Sequence, residues 1–308
     1  VEILGAEELN EKSSMKPGDI RMLLNESTGI HVQQTSASSF NSSIRIQGLD
    51  GKYTQILRDN MPLFGGYSGG LGLLQVAPLD LQQVEIIKGS SSTLHGGGAI
   101  AGMINLISKE PSPEPEASIL LNSTSAGGFD VSGFFSNKAE VVGATLFTSY
   151  NSSEAYDPAG NGLSAIPEYE RWTVNPRPFF EGKNSETNLG LNAVKEERIG
   201  GSLDYIRGHR LPLEYFEKNE TTRVSSQFEH VHQLSSGNEL TILNSVSSFK
   251  RNLGTTGSNF SGTQLSSFSE AHVLGGKDNF EWALGLNFLT EDFDQKNRTP
   301  GFNHDLNK

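Results

Sequence analysis

The chain has 308 residues, with 36 acidic side chains against 24 lysines and arginines and a formal net charge of −12. Because phosphate backbones bind basic surfaces, this balance argues against a nucleic-acid partner. Cysteine is absent, which excludes disulfides, thiolate metal sites and cysteine nucleophiles. No apolar run approaches the ~18 residues of a membrane-spanning helix, whereas membrane β-barrel strands need apolar residues only at alternate positions.

The first part of the chain mixes one short helix with short apolar strands and glycine-rich turns. The helix is predicted over residues 17–25, with Asp19 in its first turn. Its apolar residues Ile20, Leu23 and Leu24 fall on one face, which is typical of a helix packed on a core. Four strands are predicted, at 43–46, 54–58, 83–88 and 102–107.

Alternating apolar residues dominate the chain after a proline-rich segment, 111–116, which is predicted to be an extended linker. The clearest alternation places five apolar residues on one face of a strand: Phe280, Trp282, Leu284, Leu286 and Phe288. Weaker alternation recurs at 117–124, 129–136, 141–150, 186–195, 199–207, 222–234, 239–251 and 264–274. We therefore predict nine strands, each near the ~10 residues that cross a bilayer at a tilt.

Short and long connections alternate between these predicted strands. Short turns are expected near 136–140, 196–198, 235–238 and 275–279, and longer connections at 151–184, 208–220 and 252–262. This alternation is typical of a barrel whose ends face different compartments, although a short turn at 126–128 departs from it. Nine strands enclose too little space for a domain, because a plugged lumen belongs to barrels of about 22 strands. We therefore expect the rest of the barrel to lie beyond Lys308.

Residues 17–109 contain four pieces that stand in the order of a known domain. After the helix come TGIHV at 28–32 and SIRIQGL at 43–49, which resembles an "IRG" strand. QILRDNMPL at 55–63 resembles "LLDGVPL". VEIIKG at 84–89, with the glycine-rich run up to Lys109, resembles "IEVLKGPSSALYGSGAIGGVINIITK". Because these pieces occur together and in this order, residues 17–109 resemble the plug domain of TonB-dependent outer-membrane receptors.

The resemblance implies a mainly β protein with an α+β plug domain at 1–110 and the linker at 111–116. The first strands of a large antiparallel transmembrane β-barrel follow at 117–308, with about 22 strands expected in the full protein and roughly nine here. Gln47 stands where the family has arginine, and the positions aligned with the plug structural motif are Gln47, Gly48, Asp59, Pro62, Glu85, Lys88, Gly89, Gly96, Gly102 and Asn105. Asn60 stands where the family has glycine, and asparagine can adopt the left-handed conformation that glycine would.

The function implied by the resemblance is TonB-dependent import of a scarce, bulky solute across the outer membrane of a Gram-negative cell, with the plug gating the barrel. The implied partners are TonB with its inner-membrane energising complex, the solute and outer-membrane lipid. Ferric siderophores are the commonest cargo of the family, and cobalamin, haem and oligosaccharides stay open. A passive outer-membrane channel or surface adhesin without TonB coupling is the alternative. The family's TonB-contacting box lies upstream of the plug, and residues 1–16 contain no clear copy.

Two apical plug segments are expected to bind the solute. Small polar groups and an occasional aromatic ring offer hydrogen bonds and stacking without a fixed charge. Ordinary loop chemistry is the alternative interpretation of the same residues. The first segment contributes Gln33, Gln34, Thr35, Ser36, Ser38, Ser39, Phe40 and Asn41, and the second contributes Phe64, Gly65, Gly66, Tyr67, Ser68 and Gly69.

Two loop motifs have another chemical interpretation. Residues 66–70 fit the G-x-S-x-G motif of esterases, but that motif needs a helix after it, and Pro78 interrupts any such helix. We therefore predict that the protein is not an enzyme. Asp157, Asn161 and Glu168 stand at calcium-loop positions one, five and twelve, while Ala159 at position three cannot ligate. No cofactor is expected to be required, and this segment either binds structural Ca²⁺ or is an ordinary solvated loop.

Overall fold

The computed structural model describes residues 1–15, 18–36, 38–63, 71–90, 97–209, 214–234, 237–277 and 280–296. Residues 1–108 form an amino-terminal unit with a mixed five-stranded sheet, a two-stranded hairpin and short helices. In chain order its elements are β1 (Glu2–Leu4), α1 (Ala6–Met15), α2 (Arg21–Asn25), β2 (Ile30–Gln34), β3 (Ser42–Ile46), β4 (Thr54–Arg58), β5 (Met61–Pro62), α3 (Leu71–Leu74), β6 (Leu81–Lys88) and β7 (Gly102–Ser108). No helix in these described ranges is long and apolar enough to cross a membrane.

The five-stranded sheet has the order β1-β6-β7-β4-β5, and β4 runs parallel to β7. Central β7 is almost entirely buried, which explains why it is mostly apolar apart from Asn105 and Ser108. Gly102 opens this strand with a φ of 150°, and a Cβ there would lie 2.2 Å from the Ile87 carbonyl oxygen. Only glycine fits that position. The core of the unit packs Leu24 of α2 against Ile86 and Ile104 of the sheet.

The amino-terminal predictions agree with most of these elements. The predicted strand at 54–58 coincides with β4, and Ile20, Leu23 and Leu24 are buried as expected. The helix, however, begins only at Arg21, not at residue 17. The Asp19 carboxylate accepts hydrogen bonds from the Arg21 backbone N–H at 3.0 Å and from its Nε at 2.9 Å, so Asp19 caps the helix from outside. Helix α1 was not expected from the sequence.

The rest of the described chain forms one nine-stranded antiparallel sheet, here named the wall. Its strands are β8 (Glu116–Ser123), β9 (Gly128–Ala139), β10 (Val142–Ser153), β11 (Glu168–Glu181), β12 (Ser185–Gly201), β13 (Phe216–Gln233), β14 (Glu239–Thr255), β15 (Ser258–Lys277) and β16 (Phe280–Gln295). Each strand pairs with its neighbours in the chain. The connections 154–167 and 202–215, the latter with α4 (Leu203–Ile206), mark the loop end of the wall. Tight turns at 140–141 and 182–184 mark the turn end.

The two faces of the wall have opposite polarity. On the inner face, which contacts the amino-terminal unit, Asn151, Arg171 and Glu196 are buried. On the outer face, Ile119 and Leu286 are 80% and 84% exposed. Water-soluble sheets bury their apolar face, so this arrangement suits a sheet whose outer face meets an apolar medium.

The count of nine strands is confirmed, but three of the predicted elements are wrong. Strand β11 lies within the predicted long connection at 151–184, and it contains Pro176 and Pro178, which are unusual in a central strand. The ladder between β11 and β12 is in fact interrupted at 175–178, where proline cannot donate, while the ladder to β10 continues. The expected turn at 196–198 lies inside β12, so two predicted strands are one.

The charged run at 195–198 looks like a turn in the sequence but is a strand that alternates between faces. Lys195 and Glu197 face outward, with side chains 68% and 52% exposed. Glu196 and Arg198 face inward and are almost wholly buried. The expected long connection at 252–262 is also wrong, because β14 and β15 meet in a two-residue turn in which Gly257 has a φ of 87°.

Candidate functional site

A tight turn between β4 and β5 carries the plug-motif residue Asp59. Asp59 and Asn60 both adopt left-handed conformations, with φ of 51° and 64°, as expected for Asn60. The Asn105 side chain closes the turn: its Oδ1 accepts from the Asn60 backbone N–H at 3.1 Å. Its Nδ2 donates to Asn60 Oδ1 at 2.9 Å and to Glu85 Oε2 at 3.1 Å. The turn therefore presents the Asp59 carboxylate in one fixed direction.

The Asp59 carboxylate joins the amino-terminal unit to the wall. It accepts from the backbone N–H and the hydroxyl of Ser108, at 2.8 and 2.9 Å, and from Nη1 of wall residue Arg177. Burial raises the pKa of Asp59, but the positive charges of Arg177 and Arg58 and the Ser108 N–H lower it further. The net pKa lies below the ordinary value, so Asp59 is a carboxylate paired with the wall.

A second ion pair lies beside the first. Arg58 pairs with Asp80, and its Nε donates to Ser108 Oγ at 3.0 Å. Burial lowers the pKa of Arg58, but Asp80 and Asp59 raise it above its ordinary value, so the guanidinium keeps its charge. Wall residue Asn175 donates to Asp80 Oδ2 at 2.7 Å. Side chains of β11 therefore contact both ion pairs: Arg177 binds Asp59, and Asn175 binds Asp80.

The remaining plug-motif residues support the fold of the amino-terminal unit. Gln47 and Gly48 form a turn after β3 with φ of 51° and 82°. Lys88 pairs with Glu2 of the edge strand β1. Pro62 is the cross-strand partner of Leu57, and the Gly89 N–H donates to the Ala101 carbonyl at 3.1 Å. Gly96 lies outside the described residues.

The first apical segment is attached to the wall at the loop end. Ser36 and Ser38 hydroxyls donate to Glu217 Oε2 at 3.1 and 2.7 Å, and Ser38 Oγ lies 2.8 Å from the Tyr215 hydroxyl. Ser39 is fully buried, and the Phe40 ring lies 5.5 Å from the Arg21 guanidinium. The segment is closed by the Thr35 N–H, which donates to the Asn41 carbonyl at 2.7 Å. Of the predicted ligand-binding residues described, Gln33, Gln34 and Thr35 are the exposed ones.

The second apical segment, 64–69, lies outside the described residues, so its predicted contacts stay a prediction. Next to its described neighbours Pro62 and Leu63, a narrow cavity of about 40 Å³ lies between the amino-terminal unit and strands β11–β14. Polar groups line this cavity from both sides, among them Arg58, Gln75, Arg223, Gln227 and Ser245.

The predicted calcium segment is a compact loop between β10 and β11. The Asp157 carboxylate accepts from the Gly162 N–H at 2.7 Å, and Asn161 Oδ1 accepts from the Leu163 N–H at 3.0 Å. Backbone N–H groups, that of Gly162 first and then those of Asn161, Gly160 and Ala159, hold the pKa of Asp157 below its ordinary value. Glu168 opens β11 and is the partner of Ile199. In the described part of the chain, no three acidic or histidine side chains are grouped closely enough to hold a metal, and calcium binding stays a prediction.

The sequence interpretation missed the wall residues that contact the amino-terminal unit. Tyr215 and Glu217 bind the first apical segment, and Arg171 and Arg177 reach the unit from β11. A signal was present, since every second residue of β11 on its inner face is polar or aromatic. The prolines on the other face concealed this period of two.

Comparison with known proteins finds a family match for the amino-terminal unit and structural matches over most of the chain. Residues 1–103 match the family model of the TonB-dependent receptor plug domain. The fold matches the siderophore receptor PirA from Acinetobacter baumannii with a TM-score of 0.73 and 17% identity, over 95% of this chain and 48% of that one. It matches the ferric yersiniabactin uptake receptor FyuA from Yersinia pestis with a TM-score of 0.70 and 15% identity, over 96% and 49%.

A variant of the ferric enterobactin receptor PfeA from Pseudomonas aeruginosa matches with a TM-score of 0.71 and 16% identity, over 94% of this chain and 49% of that one. The chain thus spans about half the length of these receptors. The expected mainly β fold, a plug followed by antiparallel barrel strands, is confirmed. The amino-terminal unit thus matches the plug domain of TonB-dependent receptors, and the wall has the fold of the barrel strands of the solved receptors.

Proposed function

We propose that the receptor containing this chain imports a scarce, bulky solute across the outer membrane of a Gram-negative cell, driven by TonB and its inner-membrane energising complex. The observation that supports this most strongly is a plug bound to a sheet with a polar inner face and an apolar outer face. Such a sheet can contact lipid on one side and line a lumen on the other. We assign the plug to 1–110, the linker to 111–116 and the barrel strands to 117–308.

The contacts between plug and wall favour a gating role. Most are hydrogen bonds and ion pairs, as at Asp59 and Glu217, which water can replace when the plug moves. Apolar contact across the interface is limited to two small clusters in the described residues: Met61 packs on Leu243 and Phe268, and Ala77 and Leu79 pack on Phe134 and Phe147. A polar interface of this kind can separate without exposing a large apolar surface.

We propose a ferric siderophore as the cargo. Receptors of similar fold are described as receptors for ferric enterobactin and ferric yersiniabactin. On the plug, Gln33, Gln34 and Thr35 offer exposed hydrogen-bonding groups, and Phe64 and Tyr67 add aromatic rings in the second apical segment. These residues form the proposed solute-binding face.

Uptake of radioactive iron tests the proposal directly. Cells that depend on the whole receptor would be supplied with a panel of ferric siderophores, in strains with and without TonB. We expect accumulation of at least one complex that stops when TonB is deleted, with the receptor in the outer-membrane fraction. Uptake that continues without TonB would indicate a passive channel, and surface binding without uptake would indicate an adhesin.

A further inference from the structure

A row of directly paired polar side chains crosses the inner face of the wall near its loop end. Asn122, Asp130, Asn151, Arg171 and Glu196 are successive cross-strand partners on β8 to β12. Hydrogen bonds connect each to the next, at 3.0 Å from Asn122 to Asp130, 2.8 Å from Asn151 to Asp130, 3.1 Å from Arg171 to Asn151 and 3.3 Å from Arg171 to Glu196. These five residues are named the polar row.

Arg198 lies two residues beyond Glu196 on the same face of β12 and shares its carboxylate. Its Nη2 is 3.1 Å from Glu196 Oε2, and all three charged side chains are at most 3% exposed. With Asp130, the group holds two positive and two negative charges, so the wall carries no uncompensated charge at this level. Buried ions persist only when paired in this way.

The two arginines have donors left over, and these bind the backbone of the plug. Arg171 donates from Nη1 to the Leu74 carbonyl and from Nη2 to the Gly18 carbonyl. Arg198 donates from Nη1 to the Ser39 carbonyl at 3.1 Å. The three carbonyls belong to separate segments, namely the residues before α2, the end of α3 and the first apical segment.

We infer that Arg171 and Arg198 are positioning residues that hold the resting plug in the wall by its main chain. This role rests on the proposed function, because a plug that gates a barrel must be held in place until it is moved. A planar guanidinium has five N–H donors in a fixed fork, so one side chain can bind a carboxylate and two carbonyls together. Lysine carries the same charge at one point and cannot reproduce that geometry.

Contact through backbone carbonyls differs from the contact at Asp59. The Asp59–Arg177 pair needs a charged plug side chain, whereas the arginines of β11 and β12 bind groups that every residue has. Plug substitutions therefore leave this contact in place, and it can be removed only from the wall side. Loss of the contact should loosen three plug segments that are distant in sequence at the same time.

Hydrogen exchange of the whole purified receptor tests this inference with Arg171→Lys, which keeps the charge beside Glu196 but loses the fork. We expect amide exchange to rise about tenfold around Gly18 and around Leu74, since hydrogen bonds to charged groups contribute more than neutral ones. Exchange in β6 and β7 of the plug core should stay unchanged. A rise confined to the wall strands, or no change anywhere, would overturn the inference.

Two further variants keep the test decisive if Arg171→Lys fails to assemble. Arg198→Lys should raise exchange only around Ser39, because its guanidinium binds that one carbonyl of the plug. Asn122→Ala is the matched control, as it removes a hydrogen bond of the polar row between two wall strands. Faster exchange of the plug segments in Asn122→Ala, equal to that in Arg198→Lys, would show that general wall stiffness is responsible and would contradict the inference.

A leak assay connects the exchange result with gating. In cells without TonB, Arg171→Lys should increase sensitivity to a hydrophilic antibiotic too large for general porins, while Asn122→Ala should not. If amide exchange in the plug becomes faster but antibiotic sensitivity does not change, the arginines hold the plug without sealing the barrel. The exchange measurement does not depend on transport, so failure of TonB-dependent uptake would sink the proposed function and leave the inference standing.

Discussion

The plug and the wall bury opposite kinds of side chains. In the plug, Leu24, Ile86 and Ile104 are fully buried in an ordinary apolar core. In the wall, most of the buried side chains are polar or charged, such as Asn151 and Glu196, and many large apolar side chains are exposed on the other face. The difference shows that the plug carries its own core, while the wall depends on its surroundings on both faces. The surface where they meet is polar.

The largest expected effect is the loss of a buried charge pair at that surface. Asp59→Asn should destabilise the plug–wall contact by about 3–5 kcal/mol, because it leaves Arg177 buried without its carboxylate. Denaturant unfolding of the whole receptor, followed by plug fluorescence labels, measures the change. Leu286→Ala, on the exposed outer face, is the control and should leave the plug transition in place.

The pH dependence of the same pair has a definite sign. The folded pKa of Asp59 is below its ordinary value of 3.8, so its contribution is fully present above that pH and is lost as the pH falls below it. Acid should therefore release the plug of the wild-type receptor below about pH 4, and Asp59→Asn should be less sensitive in that range. Equal acid sensitivity of the two proteins would contradict this assignment.

Truncating the plug core should give an effect of similar or smaller size. Ile104→Ala should destabilise the plug by about 2–5 kcal/mol, since Ile104 is fully buried and its removal leaves a cavity. Barrel stability, measured by heat-dependent migration in gels, should change little because the wall does not share this core. If Ile104→Ala also lowered the stability of the barrel, the plug would not have a core of its own, and the contrast between plug and wall would be wrong.

A smaller effect is expected where the first apical segment rests on the wall. A Cβ on Gly200 would lie 1.9 Å from the Ser38 carbonyl oxygen, so Gly200→Ala should displace the segment and cost about 1–3 kcal/mol. Hydrogen exchange of residues 35–41 should increase and solute affinity should fall. Gly133→Ala is the control, because the nearest atom to its Cβ, Thr148 Cγ2, is 3.8 Å away. Equal effects of the two substitutions would argue against the contact.

The smallest effect concerns the loop that contains Asp157. If it binds Ca²⁺, titration calorimetry of the folded receptor should show weak binding, near the millimolar range of extracellular calcium modules, that is lost in Asp157→Asn. No heat of binding in the wild-type receptor would end the calcium hypothesis, and the loop would then be an ordinary solvated loop held by hydrogen bonds such as that from the Gly162 N–H to Asp157.

The plug was easier to predict from sequence than the wall, for physical reasons. Strand β4 and the left-handed Asn60 follow from local apolar runs and turn chemistry, which act over a few residues. Strand β11 was missed because Pro176 conceals its alternation, although the interruption of the ladder at 175–178 is tolerated because these residues still pair with β10. Arg171 contacts residues that are far from it in the sequence, such as Glu196 and Gly18, and no local spacing in the sequence indicates these contacts.

Spin labels on single cysteines introduced into β11 of an otherwise cysteine-free receptor report directly which face of the wall meets lipid, and these 308 residues contain no native cysteine to replace. Val174 lies on the outer face and Thr173, its neighbour, is buried on the inner face. In the membrane-embedded receptor, a label at Val174→Cys should collide with oxygen far more often than with a water-soluble nickel chelate, and a label at Thr173→Cys should be shielded from both. A Val174 label that is accessible to the chelate, or a Thr173 label that is accessible to oxygen in lipid, would contradict the account.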